Sequence, residues 1–452
     1  MASKGLTGIS AQIKDKLIQQ ALERKLRQVE KPASRPSGNT TSCADPNANQ
    51  IPEQFYQFHL HPGYQQLRII NDGGARLGIT NPFFKLHEGI AGATTVIGGQ
   101  QYINYASYNY LGLSGDSRVS EAAKIATDQF GTSASASRAV AGERPGHRAL
   151  ESALAQLYEV DDAIVFVSGH ATNVTTIGYL FGPKDLVLHD EFIHNSVLQG
   201  MLLSGAKRLS FPHNDSTALD QILTQQRGNF ERVLIAVEGI YSMDGDYPDL
   251  PQFIDIKRRH KAFLMVDEAH SLGVMGKTGK GIREHFGIAG SDVDIWMGTL
   301  SKSLAGCGGY IAGETALVEH LKFLAPGFLY SVGMPPPIAA SALAALQCML
   351  LEPERVLALQ SRGEYFLKEA RAAGINTGTS TGLAVIPAIV GSSIRAARLS
   401  AAMFTRGVNV QPILYPAVPE KSARLRFFMC SEHTEAQIQK TIEILSEEIS
   451  KL

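Results

Sequence analysis

Apolar side chains among the first thirty positions fall at spacings of three and four: Leu6, Ile9, Ile13, Leu17 and Ala21 form one stripe, with Lys14, Lys16, Arg24, Lys25 and Arg27 on or beside it. This spacing predicts a basic amphipathic helix, which either packs on the protein's own surface or meets a membrane surface or a partner through residues 5–30. Residues 31–50 are rich in Pro, Ser, Asn and Thr and hold no large apolar side chain. They cannot repay the entropy of ordering, so a linker is expected. From residue 113 onward, short apolar and often β-branched runs alternate with helical patterns; the runs occupy 163–167, 186–188, 233–237, 262–266, 295–296 and 310–312. They lack polar alternation, which implies strands buried on both faces, hence an α/β fold whose mostly parallel sheet is covered by helices. In such a sheet the active residues gather where strands end. Beyond residue 349 come a long helix, an apolar run at 383–390, a helix at 394–404 and strands near 408–410 and 425–429, the pattern of a smaller α+β domain. No internal repeat is visible. The expected division is a helix and linker at 1–50, an N-terminal segment at 51–112, a large domain at 113–348 and a small domain at 349–452.

Composition adds mostly exclusions. A chain of 452 residues, 44% of them hydrophobic, can bury a full core in two or three domains. Lysine and arginine number 42 against 43 acidic residues, so no bulk field draws it to nucleic acid or an anionic membrane. Cys43, Cys307, Cys348 and Cys430 are scattered without a CxxC pair, which argues against a disulfide framework or a zinc knuckle, and no metal site is expected. Residues 1–12 lack the apolar centre of a signal peptide, and no apolar stretch approaches the ~20 residues of a membrane span, so a cytoplasmic protein is expected.

Two segments carry candidate chemistry. In the first, Gly298-Thr299-Leu300-Ser301-Lys302-Ser303 leads into a cluster of Gly306, Gly308 and Gly309, placing a lysine in a turn after a buried strand. Desolvation there lowers the amine's pKa and favours its neutral, nucleophilic form, as an imine-forming lysine requires. The glycines let backbone approach a flat cofactor, and Thr299 and Ser301 offer hydroxyls to a phosphate. Taken alone, a lysine among glycines and serines is usually a surface loop. In the second, Met265-Val266-Asp267-Glu268-Ala269-His270-Ser271, an acid ends an entirely apolar strand and needs a positive counterpart. A pyridinium nitrogen supplies one: the carboxylate keeps the ring protonated and able to accept electrons from a carbanion. His270 stands where it can bond the ring's phenolic oxygen. Asp-Glu-Ala-His is also a helicase tetrapeptide, but that reading needs a phosphate loop. The only Gly-Lys-Thr, at 276–278, follows the acidic strand and has Ser271 where the first glycine should stand.

With these motifs in place, the chain from residue 81 onward resembles the α-oxoamine synthase family of fold-type-I pyridoxal-phosphate enzymes, which includes 8-amino-7-oxononanoate synthase and serine palmitoyltransferase. The resemblance implies a mostly parallel, seven-stranded-type sheet with helices on both faces, a smaller C-terminal domain, and pyridoxal 5'-phosphate carried on Lys302. It further implies that the turn at Ser168, Gly169 and His170 meets the cofactor phosphate at a helix start. His194 would stack on the pyridine face and take part in catalysis, and Ser242 would contact the cofactor. Ser331 would reach the phosphate of a neighbouring subunit, which implies a homodimer. Arg426 matches the family's substrate-carboxylate arginine. It shares a strand face with Arg424.

Tyr108 stands where many members carry an asparagine that contacts the amino-acid carboxylate. Tyrosine there, like Cys430-Ser431-Glu432-His433-Thr434, resembles the serine palmitoyltransferase branch. Residues 142–147 look like members found beside polyketide and fatty-acid assembly lines, so serine and alanine both stay open as substrates. The implied reaction is a decarboxylative Claisen-type condensation of an amino acid with an acyl thioester, carried by coenzyme A or an acyl-carrier protein, to give an α-amino ketone. The alternatives are a reaction like that of 8-amino-7-oxononanoate synthase, or an aminotransferase, which would share Lys302 and Asp267. A non-catalytic partner subunit is disfavoured because Lys302 is present.

Overall fold

The structure, a computed structural model, describes residues 51–76 and 78–452; the basic helix expected over 5–30, the linker at 31–50 and Cys43 lie outside the described residues. The described chain forms two compact units that divide after Phe84. The first carries two short 3-10 turns, Glu53–Phe55 and Phe58–Leu60, and a helix at Pro62–Arg76, where proline occupies a first-turn position that needs no amide donor.

The second unit is built on a seven-stranded sheet. In spatial order its strands are Asp162–Phe166, Gly309–Gly313, Ile295–Thr299, Phe263–Asp267, Val233–Glu238, Leu186–Asp190 and Lys207–Phe211. Four pairings are parallel and two antiparallel, so the sheet is mostly parallel as expected. Both antiparallel pairings belong to Gly309–Gly313. It follows Ile295–Thr299 after only the short turn 300–308, and a parallel return would need a crossover of about a dozen residues or more. That turn holds Lys302.

The apolar runs are strands buried on both faces. Along Val233–Glu238 successive residues serve opposite cores, with Val233, Ile235 and Val237 in one cluster and Leu234 and Ala236 in the other. Lys207–Phe211 was not anticipated: it is the edge strand, and its Lys-Arg-Leu-Ser-Phe sequence is too exposed to form an apolar run. The expected strand near 408–410 divides in two. Val408–Asn409 joins the hairpin of Thr94–Ile97 and Gln100–Asn104, while Gln411–Ile413 pairs with Arg424–Phe428 beside Val385–Ile389. This last antiparallel sheet is the smaller C-terminal one, and it presents Arg426.

Candidate active site

The carboxyl ends of the central strands bring Glu238, Asp267 and Thr299 to one edge of the sheet, with Glu238 and Asp267 in register and Met297 opposite Asp267. A cleft of about 280 Å³ opens there, lined among others by Gly169, His194, Glu238, Asp267, His270 and Lys302. Burial drives the Lys302 amine from 10.5 down to about 8, against the opposing pull of Asp267 and Glu238. The lysine is therefore about one-tenth neutral at pH 7, far more than a solvated lysine would be.

Asp267 ends its strand 5% exposed, accepting 3.0 Å hydrogen bonds from Asn173 Nδ2 and the Ala269 amide. Asn173 Nδ2 also donates to Ser196 Oγ at 2.9 Å, and Ser196 Oγ lies 2.7 Å from His194 Nδ1. Because Nδ1 accepts the Ser196 amide as well, at 3.3 Å, we assign the Ser196 hydroxyl as a second donor to Nδ1 and the imidazole proton to Nε2. His194, Ser196, Asn173 and Asp267 thus form one continuous chain. Burial lowers the His194 pKa, with Asp267 opposing and Lys302 reinforcing the shift. His270 lies across the cleft, with Nδ1 2.7 Å from Tyr110 Oη, and burial first, then Lys302 and Arg426, hold it far below the usual imidazole range.

On the opposite wall, Ser168 caps the helix Gly169–Leu180 by accepting the Ala171 amide at 3.3 Å. Gly169 and His170, in the first turn of that helix, line the cleft together with Thr299 and Ser301, whose Oγ1 and Oγ lie 2.7 Å apart. A Cβ on Gly169 would stand 2.8 Å from Thr299 Oγ1, so this close approach demands glycine. A helix start facing two hydroxyls is a site for a dianionic phosphate. At the far end, a buried carboxylate held only by amide donors suits a cationic ring nitrogen. With an amine between them, the donor set fits pyridoxal phosphate.

Tyr108 stands at the mouth, its ring 5.5 Å from Lys302 Nζ and edge-on to Phe428 at 4.8 Å. It also lines a second cavity with His87, Ser107, Asn109 and Ala305, which shares Ser301 and Lys302 with the first. Arg426 Nη1 donates to the Ser242 carbonyl at 2.9 Å, its guanidinium lies 4.6 Å from the Phe428 ring, and its Nε has no partner. Arg424 turns to the same segment but is taken up by Asp244 Oδ1 at 2.5 Å and the Met243 carbonyl at 3.1 Å. Ser242 is buried beneath the site, its amide 3.3 Å from Glu238 Oε2. Ser331 is not brought to the cleft of its own chain; it bonds the Val332 carbonyl beside exposed Tyr330 and Val332.

Residues 142–147 have a structural use. Arg138 is clamped by Glu143 at 2.6 Å and by Glu151, and His147 Nε2 meets the Met334 carbonyl at 2.7 Å. Sequence reasoning missed Glu238, Asn173, Ser196 and Tyr110. Glu238 showed the same signal as Asp267, an acid closing an apolar run; Asn173 and Ser196 sit inside helices with no distinguishing spacing. Among the described residues no group of His, Cys, Asp and Glu could hold a metal ion, and no helix is long and apolar enough to cross a membrane.

Residues 100–445 match the family described as aminotransferase class I and II. An 8-amino-7-oxononanoate synthase from Symbiobacterium thermophilum is 38% identical over 348 residues, covering 77% of this chain and 88% of its own. A serine palmitoyltransferase from S. paucimobilis, solved with a bound pyridoxal phosphate–myriocin adduct, superposes with a TM-score of 0.82 at 29% identity, covering 86% of this chain and 99% of its own. The 8-amino-7-oxononanoate synthase of Francisella tularensis superposes with a TM-score of 0.68 at 27% identity, covering 77% of this chain and 98% of its own.

Proposed function

The chain belongs to the aminotransferase class I and II family and, within it, to the pyridoxal-phosphate-dependent α-oxoamine synthases, and on that premise we propose that it condenses serine or alanine with an acyl thioester to give an α-amino ketone. The net change forms one bond between the amino acid's α-carbon and the thioester carbonyl carbon, releases the thiol and loses the carboxylate as carbon dioxide. When bound, the cofactor supplies an electron sink for the α-carbanion.

In this reading Lys302 carries the cofactor and, once displaced, its neutral amine removes the α-proton. Asp267 holds the ring nitrogen, His194 the ring face and His270 the phenolic oxygen. Ser242 supports the cofactor side of the pocket from beneath. Gly169, His170, Thr299, Ser301 and Ser331 of the partner subunit hold the phosphate. Arg426 takes the amino-acid carboxylate with its free Nε and remaining guanidinium protons, while Tyr108 closes the mouth over Lys302. Exposed Tyr330 and Val332 beside Ser331 support a homodimer, and we place the enzyme in the cytoplasm.

The observation that carries the proposal is Lys302, an amine with a pKa near 8, beside the buried Asp267 and facing Tyr108. Tyr108 and the serine palmitoyltransferase structures favour serine. The relatives favour alanine: an amine on carbon 8 next to a terminal methyl, as 8-amino-7-oxononanoate is named, requires an alanine-derived half. Purified protein should be offered L-serine and L-alanine against acyl-coenzyme A and acyl-carrier protein, with thiol release as the readout. Release dependent on one amino acid identifies the substrate; transamination without need of a thioester would overturn the condensation.

A further inference from the structure

His213 follows the edge strand Lys207–Phe211 and lies outside the cleft, yet it joins the two segments that shape it. Its Nδ1 is 2.9 Å from Asp190 Oδ1 and its Nε2 2.9 Å from Asp246 Oδ2. A carboxylate at each ring nitrogen requires a proton on both, so the ring is an imidazolium. Asp190 is fully buried and begins the loop to His194, accepting the Phe192 amide at 2.9 Å and the Asn214 amide at 2.7 Å. Asp246 ends the turn that contains Ser242, whose carbonyl holds Arg426, and its carbonyl accepts the Tyr241 amide at 2.8 Å. Thr379 Oγ1 ties Asp246 Oδ2 to the C-terminal part at 2.6 Å. Tyr241 lies edge-on to the imidazole at 4.5 Å, and Glu191 accepts the His213 amide at 2.9 Å; with Asp190 and Asp246 these are the titratable groups that face the ring.

We propose that His213 is a positioning residue: as an imidazolium between Asp190 and Asp246, it sets the separation between the loop ending at His194 and the turn whose carbonyl orients Arg426. Without it two buried carboxylates would face each other across the gap, and both segments would move apart. A shift of about 1 Å at a binding group costs one to two orders of magnitude in its productive use. The consequence for amino-acid binding rests on the reading of His194 and Arg426 given above; the strut itself does not.

The test uses the full chain with His213→Gln and, because that variant risks misfolding, Asp246→Asn, which keeps the Asp190 pair. Amide hydrogen exchange of the ligand-free protein should quicken about tenfold in residues 190–196 and 241–246, with the Phe263–Asp267 strand unchanged. In the loaded enzyme the KM for L-serine or L-alanine should rise about tenfold, while borohydride still traps cofactor on Lys302. Unchanged exchange in both segments would overturn the strut. So would a lowered melting temperature with an unmoved KM, since His213 would then be a clasp alone. A wild-type protein that binds no pyridoxal phosphate would sink the functional reading instead, and the exchange data alone would then decide the strut.

Discussion

Glu238 and Asp267 end adjacent parallel strands as register partners, both buried and both facing the Lys302 cleft, yet they are solvated unequally. Asp267 takes two 3.0 Å amide donors, whereas Glu238 has one 3.3 Å backbone donor and an Oε1 without a partner. Two buried carboxyls side by side do not both ionise cheaply. Burial first, and the Asp267 charge second, push the Glu238 carboxyl well above its usual range. Glu238 is therefore the carboxyl of the pair whose neutral form the fold favours.

Glu238→Gln should accordingly stabilise the ligand-free protein in a pH-dependent way. A carboxyl raised in the folded state costs nothing below its unfolded pKa, near 4.5; above it the unfolded chain releases a proton that the folded chain keeps, and stability falls. Glutamine mimics the neutral acid without that loss. Melting temperatures of variant and wild type should nearly coincide at pH 5 and separate by a few degrees at pH 8, the variant being higher. A gap that does not change with pH would show Glu238 to be ionised.

Lys302 makes a second prediction through its rate of imine formation. With the amine at about 8, the reaction of ligand-free protein with pyridoxal phosphate should accelerate from pH 6.5 and level off above pH 9. Lys302→Ala should form no adduct that borohydride can trap at this position. A rate still climbing past pH 10 would place the amine at its ordinary, solvated pKa.

Asp267 was legible in the sequence because it ends an apolar run where burial forces a reason for charge, and Lys302 because it stands in the turn after a buried strand, ahead of a glycine cluster. The central strands were legible for the same cause: sides buried on both faces leave continuous apolar runs. The edge strand Lys207–Phe211 and the hairpin Thr94–Asn104 were not, because solvent on one side removes that run. The His194–Ser196–Asn173–Asp267 chain was hidden for a different reason. It joins residues far apart in sequence through single hydrogen bonds, and nothing local to Asn173 or Ser196 distinguishes them from ordinary helix polar residues.

That chain yields a third prediction. Ser196→Ala removes the hydroxyl that donates to His194 Nδ1 and the acceptor for Asn173 Nδ2. His194 Nδ1 then keeps only the longer 3.3 Å bond from the Ser196 amide, which holds the ring less firmly, and Asn173 loses one of its two anchors. The expected effect is a fall in kcat/KM of about ten- to a hundredfold with the melting temperature nearly unchanged. Steady-state kinetics beside a thermal melt decides it: equal activity would reduce the chain to packing.

Arg424 and Arg426 provide the sharpest contrast, because they leave one strand toward one turn and are expected to fail in opposite ways. Arg424 is 5% exposed in its side chain and paired with Asp244, itself 10% exposed, so Arg424→Ala strands a buried carboxylate and should cost about 3–5 kcal/mol of stability. Arg426 has no acidic partner; its contacts are the Ser242 carbonyl, Met243 Sδ and the Phe428 ring, and its Nε is unpaired. A half-buried guanidinium with an open donor edge lacks its anion, and in the proposed function the substrate carboxylate supplies it. Arg426→Lys keeps the charge but loses the planar fork, so the KM for the amino acid should rise about tenfold or more while the melting temperature holds or improves. Measuring KM and melting temperature on both variants separates the two arginines. If Arg426→Lys melts early and binds the amino acid normally, the guanidinium is a structural prop and the carboxylate site lies elsewhere.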